Sequence, residues 1–390
     1  MDYQGTISRG IRAPIIKQGD DLVKIVADCV VNASNQAFEL HDKDVVAVTE
    51  AVLARAQGNY ATVDQIATDI QAKFGDNVVG LVNPIFSRNR FSMILKGIAK
   101  GAKKLVIQLS YPSDEVGNSF ISKEDIYDKK INPYADVFTE EEFRKIFPNL
   151  KHKFTGVDYI DYYKQMGGNC EIILANDPCE MLKHTKYIIN ADIHTRRLTK
   201  QRLLDNGAEK VVSLDEILTE SIDGSGYNKQ FGVLGSNLAT DHSVKLFPRD
   251  CQEFVDSLQA LLFAKTGKNI ECMVYGDGAF KDPVGGIWEL ADPVCSPAYT
   301  SGLAGKPNEI KLKYIADNDI ANLSGEEAVA AMKQIIKQKD SDLVGSIKSQ
   351  GTTPRQLTDL LGSLADLTSG SGDKGTPIIL IQNYFKNYAD

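Results

Sequence analysis

The chain has no apolar run approaching the roughly 20 residues that a membrane-crossing helix needs. Its opening, MDYQGTISRG, lacks the apolar centre of a secretory leader. The cysteines at 29, 170, 179, 251, 272 and 295 are scattered and form no CxxC pair, which argues against a zinc knuckle or a disulfide framework. Reduced, mostly buried thiols in a cytoplasmic protein are the expectation. There is no G-x-x-x-x-G-K-[ST] and no G-x-G-x-x-G after a strand, so ordinary P-loop enzymes, kinases and Rossmann dehydrogenases lose ground. Gly302 to Pro307 (GLAGKP) has the wrong spacing for a phosphate loop and a proline after its lysine. An excess of positive charge is also missing. The net charge of -8 repels nucleic acid and anionic membranes, so neither is expected as a partner. No internal repeat or low-complexity tract appears.

What is present is an ordinary globular balance, 43% apolar and 25% charged, over 390 residues, enough for two or three domains with a large core. The spacing divides the chain into three units. In the first, 1–82, Asp20–Val31 reads as a helix with two aspartates in its first turn, Asp44–Leu53 opens as a buried strand, and Asp64–Phe74 reads as an amphipathic helix ending at Gly75. The middle unit, 83–228, alternates strand-like runs at Lys104–Leu109, Glu171–Ala175 and Tyr187–Ala191 with helical runs at Cys179–His184 and Arg197–Asn206. That alternation predicts parallel βαβ layering. The tyrosine-rich stretch Ser110–Lys164 gives no clear period. The last unit, 229–390, carries helices at Asp250–Lys265, Glu326–Gln338 and Arg355–Leu367, and strands at Glu271–Tyr275 and Pro377–Gln382. The fold class is therefore α/β, with α+β character in the mixture.

Three segments suit chemistry. In ECMVYGDGAFKDP a buried strand ends in Gly276-Asp277-Gly278, and Asp282 follows five residues after Asp277. Glycines let the backbone bring a carboxylate close to a ligand, and carboxylates at a strand end can hold magnesium or manganese. The same spacing also suits a polar turn with solvated carboxylates. In GVLGSNLATDHSV, Asn237 sits in a turn of small residues and Asp241 and His242 follow. In SGSGDKGTP, backbone N–H groups can wrap phosphates, although such a loop is also a common flexible connection. In the middle unit, Asp177 and Asp192 each follow a strand-like run, where α/β sheets bind ligands, and Arg196 and Arg197 lie just beyond.

Four separated segments resemble, in the same order, the γ-glutamyl ligase family of the deazaflavin coenzyme (coenzyme F420-0:L-glutamate ligase). They are Ala13–Leu22 (APIIKQGDDL), Asp44–Gly58 (DVVAVTEAVLARAQG), Phe231–Asp282, and Leu360–Gln382. The resemblance covers roughly half the chain, at both ends. The middle unit has no counterpart in the compact members and reads as an inserted α/β elaboration of a ligase-like core. The resemblance implies a nucleotide- and metal-dependent ligase that joins L-glutamate, or a similar amino acid, to a carboxylate acceptor through an acyl phosphate. It implies GTP or ATP as co-substrate, Mg2+ or Mn2+ as cofactor, and a homodimer. Nucleotide contacts are expected from Ala13, Pro14, Ile15, Ile16, Arg55, Asn237, Gly370, Gly372, Lys374 and Gly375. Metal contacts are expected from Asp277, with Asp282 or Asp241 assisting. Acceptor recognition is expected from Asp177, Asp192, Arg196 and Arg197. Departures from the family pattern are concrete. Leu234 stands where the family has a metal-binding aspartate, Glu50-Ala51 replaces a Ser-Thr pair, Arg55 replaces a lysine, and Ser371 aligns with an acidic ligand, with Asp373 two residues on. A folate-type polyglutamate ligase and a non-catalytic nucleotide-binding or regulatory homologue are the alternative readings.

Overall fold

The computed structural model describes residues 3–85, 91–113, 119–148, 150–151, 156–276, 296–350, 356–368 and 372–390. From the N-terminus the chain forms β1 (Ile7–Ile11), α1 (Leu22–Ala37), β2 (Val45–Thr49), α2 (Glu50–Ala56), β3 (Tyr60–Thr62) and α3 (Val63–Phe74). The middle follows as β4 (Val78–Val82), α4 (Ser92–Gly101), β5 (Lys104–Leu109), α5 (Lys123–Asp128), β6 (Phe138–Thr139), α6 (Glu140–Ile146), α7 (Tyr159–Gly167), β7 (Cys170–Leu174), β8 (Tyr187–Asn190), α8 (Arg196–Asp205) and β9 (Lys210–Ser213). The last part is β10 (Asn237–Thr240), β11 (Ser243–Lys245), α9 (Cys251–Thr266), β12 (Glu271–Tyr275), β13 (Ala298–Tyr299), α10 (Leu312–Asn318), α11 (Gly325–Lys337), α12 (Leu357–Thr368) and β14 (Ile378–Gln382). The class is mixed α/β, as the periodicity predicts.

The core sheet has the order β1-β14-β2-β12-β13. β2 and β12 run parallel and every other pair is antiparallel. Side chains alternate across it, because successive residues of a strand face opposite sides. Val46, Val48, Cys272, Val274, Ile378 and Leu380 pack under α1 and α9. Val45, Ala47, Met273, Tyr275, Ile379 and Ile381 pack against Leu361 and Ala365 of α12. The expected pair of acidic residues in the first turn of α1 is not there. Asp21 is the N-cap, accepting from the Lys24 N–H, and Asp20 accepts from the Lys17 N–H. A short carboxylate satisfies free helix-end N–H groups better from outside the first turn than from within it.

The second sheet has the order β6-β7-β5-β4-β8-β9, parallel throughout except for the short edge strand β6. Numbered by chain order, its five parallel strands read 3-2-1-4-5, the order of doubly wound dinucleotide-binding sheets. Helices cover both faces, α3, α4 and α7 on one and the Met181 and Leu203 side on the other. The glycine-rich turn of such folds is absent, since Asn83-Pro84-Ile85 follows the central strand. That central strand, β4, precedes residue 83, so the α/β layer begins earlier than the expected middle unit, 83–228. An apolar run such as VVGLV does not announce which sheet it will join. The stretch without clear period resolves into α5, β6, α6 and α7. Several of its aromatics are core, Tyr111, Phe143, Tyr159 and Tyr163 all being buried, whereas Tyr127 and Tyr134 are exposed. A third, three-stranded sheet, β10-β11-β3, lies between the two larger ones in sequence connection. No helix among the described residues is long and apolar enough to cross a membrane.

Candidate functional site

The site is built around α2. Strand β2 is buried along nearly its whole length and delivers the chain to Thr49, whose N–H donates to the Pro377 carbonyl at 3.1 Å. The N–H of Gly19 donates to Ala56 at the far end of the helix at 2.8 Å. Between these anchors, the Ala13 N–H donates to the Gly375 carbonyl at 3.2 Å. Two segments expected to hold a nucleotide, 360 residues apart, are thus in direct contact. Within Ala13–Ile16 the roles divide. Ile16 is buried in the cluster that contains Leu53 and Ala56, whereas Pro14 is exposed and Ile15 is 79% exposed. Arg55 is exposed on α2, and Gly372, Lys374 and Gly375 are exposed on the closing loop.

Asn237 joins this neighbourhood through its strand. It pairs with Lys245 across the β10–β11 hairpin. The Lys245 ammonium in turn bridges both carboxylate oxygens of Glu50, the first residue of α2, at 3.0 Å each. Both side chains are largely buried, at 12% and 4% exposure. A carboxylate at a helix start is favoured by the helix dipole, and the ammonium neutralises it away from water. Glu50 replaces the family's Ser-Thr pair, so this chain fills that position with an internal ion pair. Lys245 was not among the expected site residues. Its only signal in sequence is a lone lysine in the apolar stretch SVKLF.

Asn59 is a second residue that sequence reasoning missed. It is fully buried, and its Nδ2 donates to the Phe247 carbonyl at 2.7 Å. Its Oδ1 accepts from the Tyr227 N–H at 2.9 Å and from Arg249 at 2.5 Å. Arg249 lies over the Tyr227 ring, 4.6 Å from its centre. Tyr227, Arg249, Asp250 and Cys251 line a cleft of about 330 Å³. Burial pushes the Cys251 thiol up to about 12, and the nearby Glu50 and Asp250 charges add to the shift. Burial also raises Cys29, Cys170, Cys179 and Cys272. All five described cysteines are therefore protonated near neutrality and poor nucleophiles.

Asp241 sits at the tip of the β10–β11 hairpin, four residues or about 13 Å of strand away from Asn237. The structure does not bring the two together. Leu234 is buried in the apolar cluster that lies against the second sheet. Asp277, Asp282, Gly370 and Ser371 lie outside the described residues. Among the described residues no three Asp, Glu, His or Cys side chains group as a metal site. The described donors thus do not make a metal site.

The four acceptor candidates all lie at the carboxyl edge of the second sheet, but Asp177 and Asp192 follow strands separated by two others. Asp177 accepts from Arg202 at 2.7 and 3.2 Å and from the Cys179 N–H. The Arg202 contact holds its carboxyl below the usual range, against a smaller opposing effect of burial. Asp192 is buried and accepts from the His194 and Thr195 N–H groups and from the hydroxyls of Thr195 and Thr199. Burial alone would raise its carboxyl, but the bonds from Thr199, Thr195 and His194 together outweigh burial and lower it. Arg196 pairs with Asp215 at 3.0 Å, and Arg197 is exposed. Three of the four therefore already have partners within the unit.

Compared with known families, the chain matches the one described as F420-0:Gamma-glutamyl ligase over residues 10–383. No curated protein matches it. The matched span includes the second sheet, the closing strand and all of the core sheet but the start of β1, so the chain belongs to the F420-0:gamma-glutamyl ligase family, a family of ligases.

Proposed function

We propose that this ligase-family member joins L-glutamate, or a similar amino acid, to a carboxylate acceptor in a reaction driven by GTP or ATP with Mg2+ or Mn2+. A carboxylate is a poor electrophile at neutral pH and does not form an amide unaided. In the proposed sequence a carboxylate oxygen of the acceptor attacks the terminal phosphorus, and the bond to the nucleoside diphosphate breaks. The glutamate amine then attacks the acyl carbon, inorganic phosphate departs, and the amine gives up a proton. Such transfer asks the protein for positioning and charge rather than for a covalent nucleophile. The raised thiols agree with that requirement.

The observation that carries the reading is the contact of Ala13 with Gly375 beside α2, with the Asn237 strand tied to the start of the same helix through Lys245 and Glu50. Pro14 and Ile15 are free to lie against a base or ribose. Arg55, Asn237 and the backbone of the loop at 372–375 would meet the rest of a nucleotide. Cytoplasmic location and assembly as a homodimer belong to the same proposal.

Leu234 in the core and Glu50 in an ion pair favour a second reading, a nucleotide-binding homologue without catalysis. A folate-type polyglutamate ligase would use the same chemistry on another acceptor. One experiment separates them. The pure protein is incubated with GTP or ATP, manganese or magnesium, glutamate and a panel of acceptors, and phosphate release is measured. Release with one acceptor names the substrate. Nucleotide binding with no release under any combination sinks the ligase reading.

A further inference from the structure

A cleft of about 850 Å³ lies between β1, α1 and the residues that lead into β14. Its size falls within the ordinary range of small-molecule sites. Three cationic side chains line it, Arg9, Arg12 and Lys374, together with the amides of Asn32 and Gln36 and the hydroxyl-bearing Thr376. No carboxylate is among the described residues that line it. This positive lining contrasts with the net charge of -8 of the whole chain. Arg9 is held in place, its Nε donating to Gln382 at 3.3 Å and its guanidinium 5.1 Å from the centre of the Phe38 ring. Arg12 and Lys374 have no ion-pair partner among the described residues. The acidic group nearest in sequence to the lining residue Cys29 is Asp28, and it is committed to Lys265 at 2.9 Å. Among the described residues the cations of the cleft therefore meet no lining carboxylate, and Asp373, next to Lys374 in the chain, is exposed.

We propose that this cleft binds the carboxylate-rich part of a small anionic substrate or product, with Arg9, Arg12 and Lys374 as its counter-charges. The ligand class rests on the ligase reading, whereas the charge of the cleft does not. Joining glutamate through its amine consumes one acceptor carboxylate and brings in two. Each product therefore carries one more negative charge than its acceptor. A positively lined groove suits molecules that gain carboxylates in this way. Arg12 immediately precedes Ala13, and Lys374 immediately precedes Gly375, the two residues that touch. The cleft thus adjoins the segments proposed to hold the nucleotide, as an acceptor site must. Guanidinium groups pair with carboxylates in a planar, two-pronged geometry, which favours this class over a diffuse anion atmosphere.

The test is calorimetric titration of the full chain with γ-linked triglutamate and, separately, with GTP. Wild-type protein should bind triglutamate, more weakly as salt rises. Arg12→Gln should weaken it about tenfold or more, the scale of one lost charged hydrogen bond, with GTP affinity unchanged. Arg12 is exposed, so the substitution spares the fold. Asn32→Asp, which adds a like charge to the cleft from α1, should weaken triglutamate as well. Absence of triglutamate binding to wild type, or equal binding by wild type and both variants, overturns the proposal. Loss of GTP affinity with triglutamate untouched also overturns it and gives the cleft to the nucleotide. Weakened triglutamate binding in the variants, in a protein that releases no phosphate with any acceptor, upholds the cleft and sinks the ligase reading instead.

Discussion

The two large sheets of this protein are assembled in opposite ways. The core sheet takes neighbours from the far ends of the chain: Ile7 pairs with Gln382, and β2 lies between β14 and β12. The second sheet joins strands that follow one another in the chain, by short crossovers except for the long connection from β5 to β7, which carries α5, β6, α6 and α7. Their buried carboxylates differ as well. In the core, Asp44 accepts from Gln382 at 2.7 Å and from the His41 N–H, yet burial prevails and raises its carboxyl. In the second sheet's layer, Asp192 collects enough hydrogen bonds to stay ionised below the usual range. The core sheet thus depends on long-range closure around apolar strands, while the second sheet joins strands nearer in the chain around its own apolar cluster, with a buried turn at Asp192 held by hydrogen bonds. Contacts distant in sequence cost more chain entropy to form, so the second sheet has the shorter path to its native pairing.

The largest effect should come from breaking the ion pair that ties α2 to the hairpin. Lys245→Met leaves Glu50 buried without its ammonium and should cost about 3–5 kcal/mol. The double variant Lys245→Met/Glu50→Gln should recover a large part of that in urea unfolding. A double variant no more stable than the single would mean that the pair is not the source. Next, Leu380→Ala at the centre of the core sheet should cost about 2–5 kcal/mol. Hydrogen exchange should show it loosening β1, β2 and β14 while β4, β5 and β8 keep their protection. Equal loosening of both sheets would erase the distinction between them.

A smaller change is expected beside the second sheet. Asp192→Asn keeps the shape but cannot accept from two N–H groups and two hydroxyls as a carboxylate does, and should cost about 1–3 kcal/mol. The loss should appear as faster exchange at the start of α8, with the core sheet unaffected. The smallest effect is the response to acid. Asp177 and Asp192 have lowered folded values, so their stabilisation is complete above the unfolded carboxylate value of 3.8 and is lost as pH falls through the lower folded values. Asp44 is raised, so its ionisation penalises the core above its folded value and the penalty vanishes as pH falls to 3.8. Exchange measured from pH 5 downward should therefore loosen the β7 and β8 ends before the β2–β14 pairing. The reverse order would contradict the assignment of these carboxylates.

Much of the fold was legible locally. Strands Lys104–Leu109 and Glu271–Tyr275 appear with the expected bounds, and Gly75 and Gly267 end their helices in left-handed or related conformations with positive φ. Helix and strand periods are set by which side chains are apolar, and that information lies within a dozen residues. The Ala13 segment was legible as a site candidate only through family resemblance and the Gly375 loop also from its glycines, while their contact is a tertiary fact. Lys245 and Asn59 were not legible at all. A lysine beside a strand and an asparagine after a glycine are ordinary surface residues until distant chain buries them.

By itself, then, the order of residues determined the element types, the α/β class, the acidic surface and the membership implied by spaced segments. Only the tertiary structure decided that β4 joins the second sheet, that its parallel strands run 3-2-1-4-5, and that Ile16 faces the core while Ile15 faces solvent. It alone decided that Glu50 meets Lys245 and that Arg9, Arg12 and Lys374 line one cleft. The physical reason is range. Backbone preference and apolar periodicity act between neighbours, whereas desolvation and ion pairing act between whatever groups closure of the chain brings together.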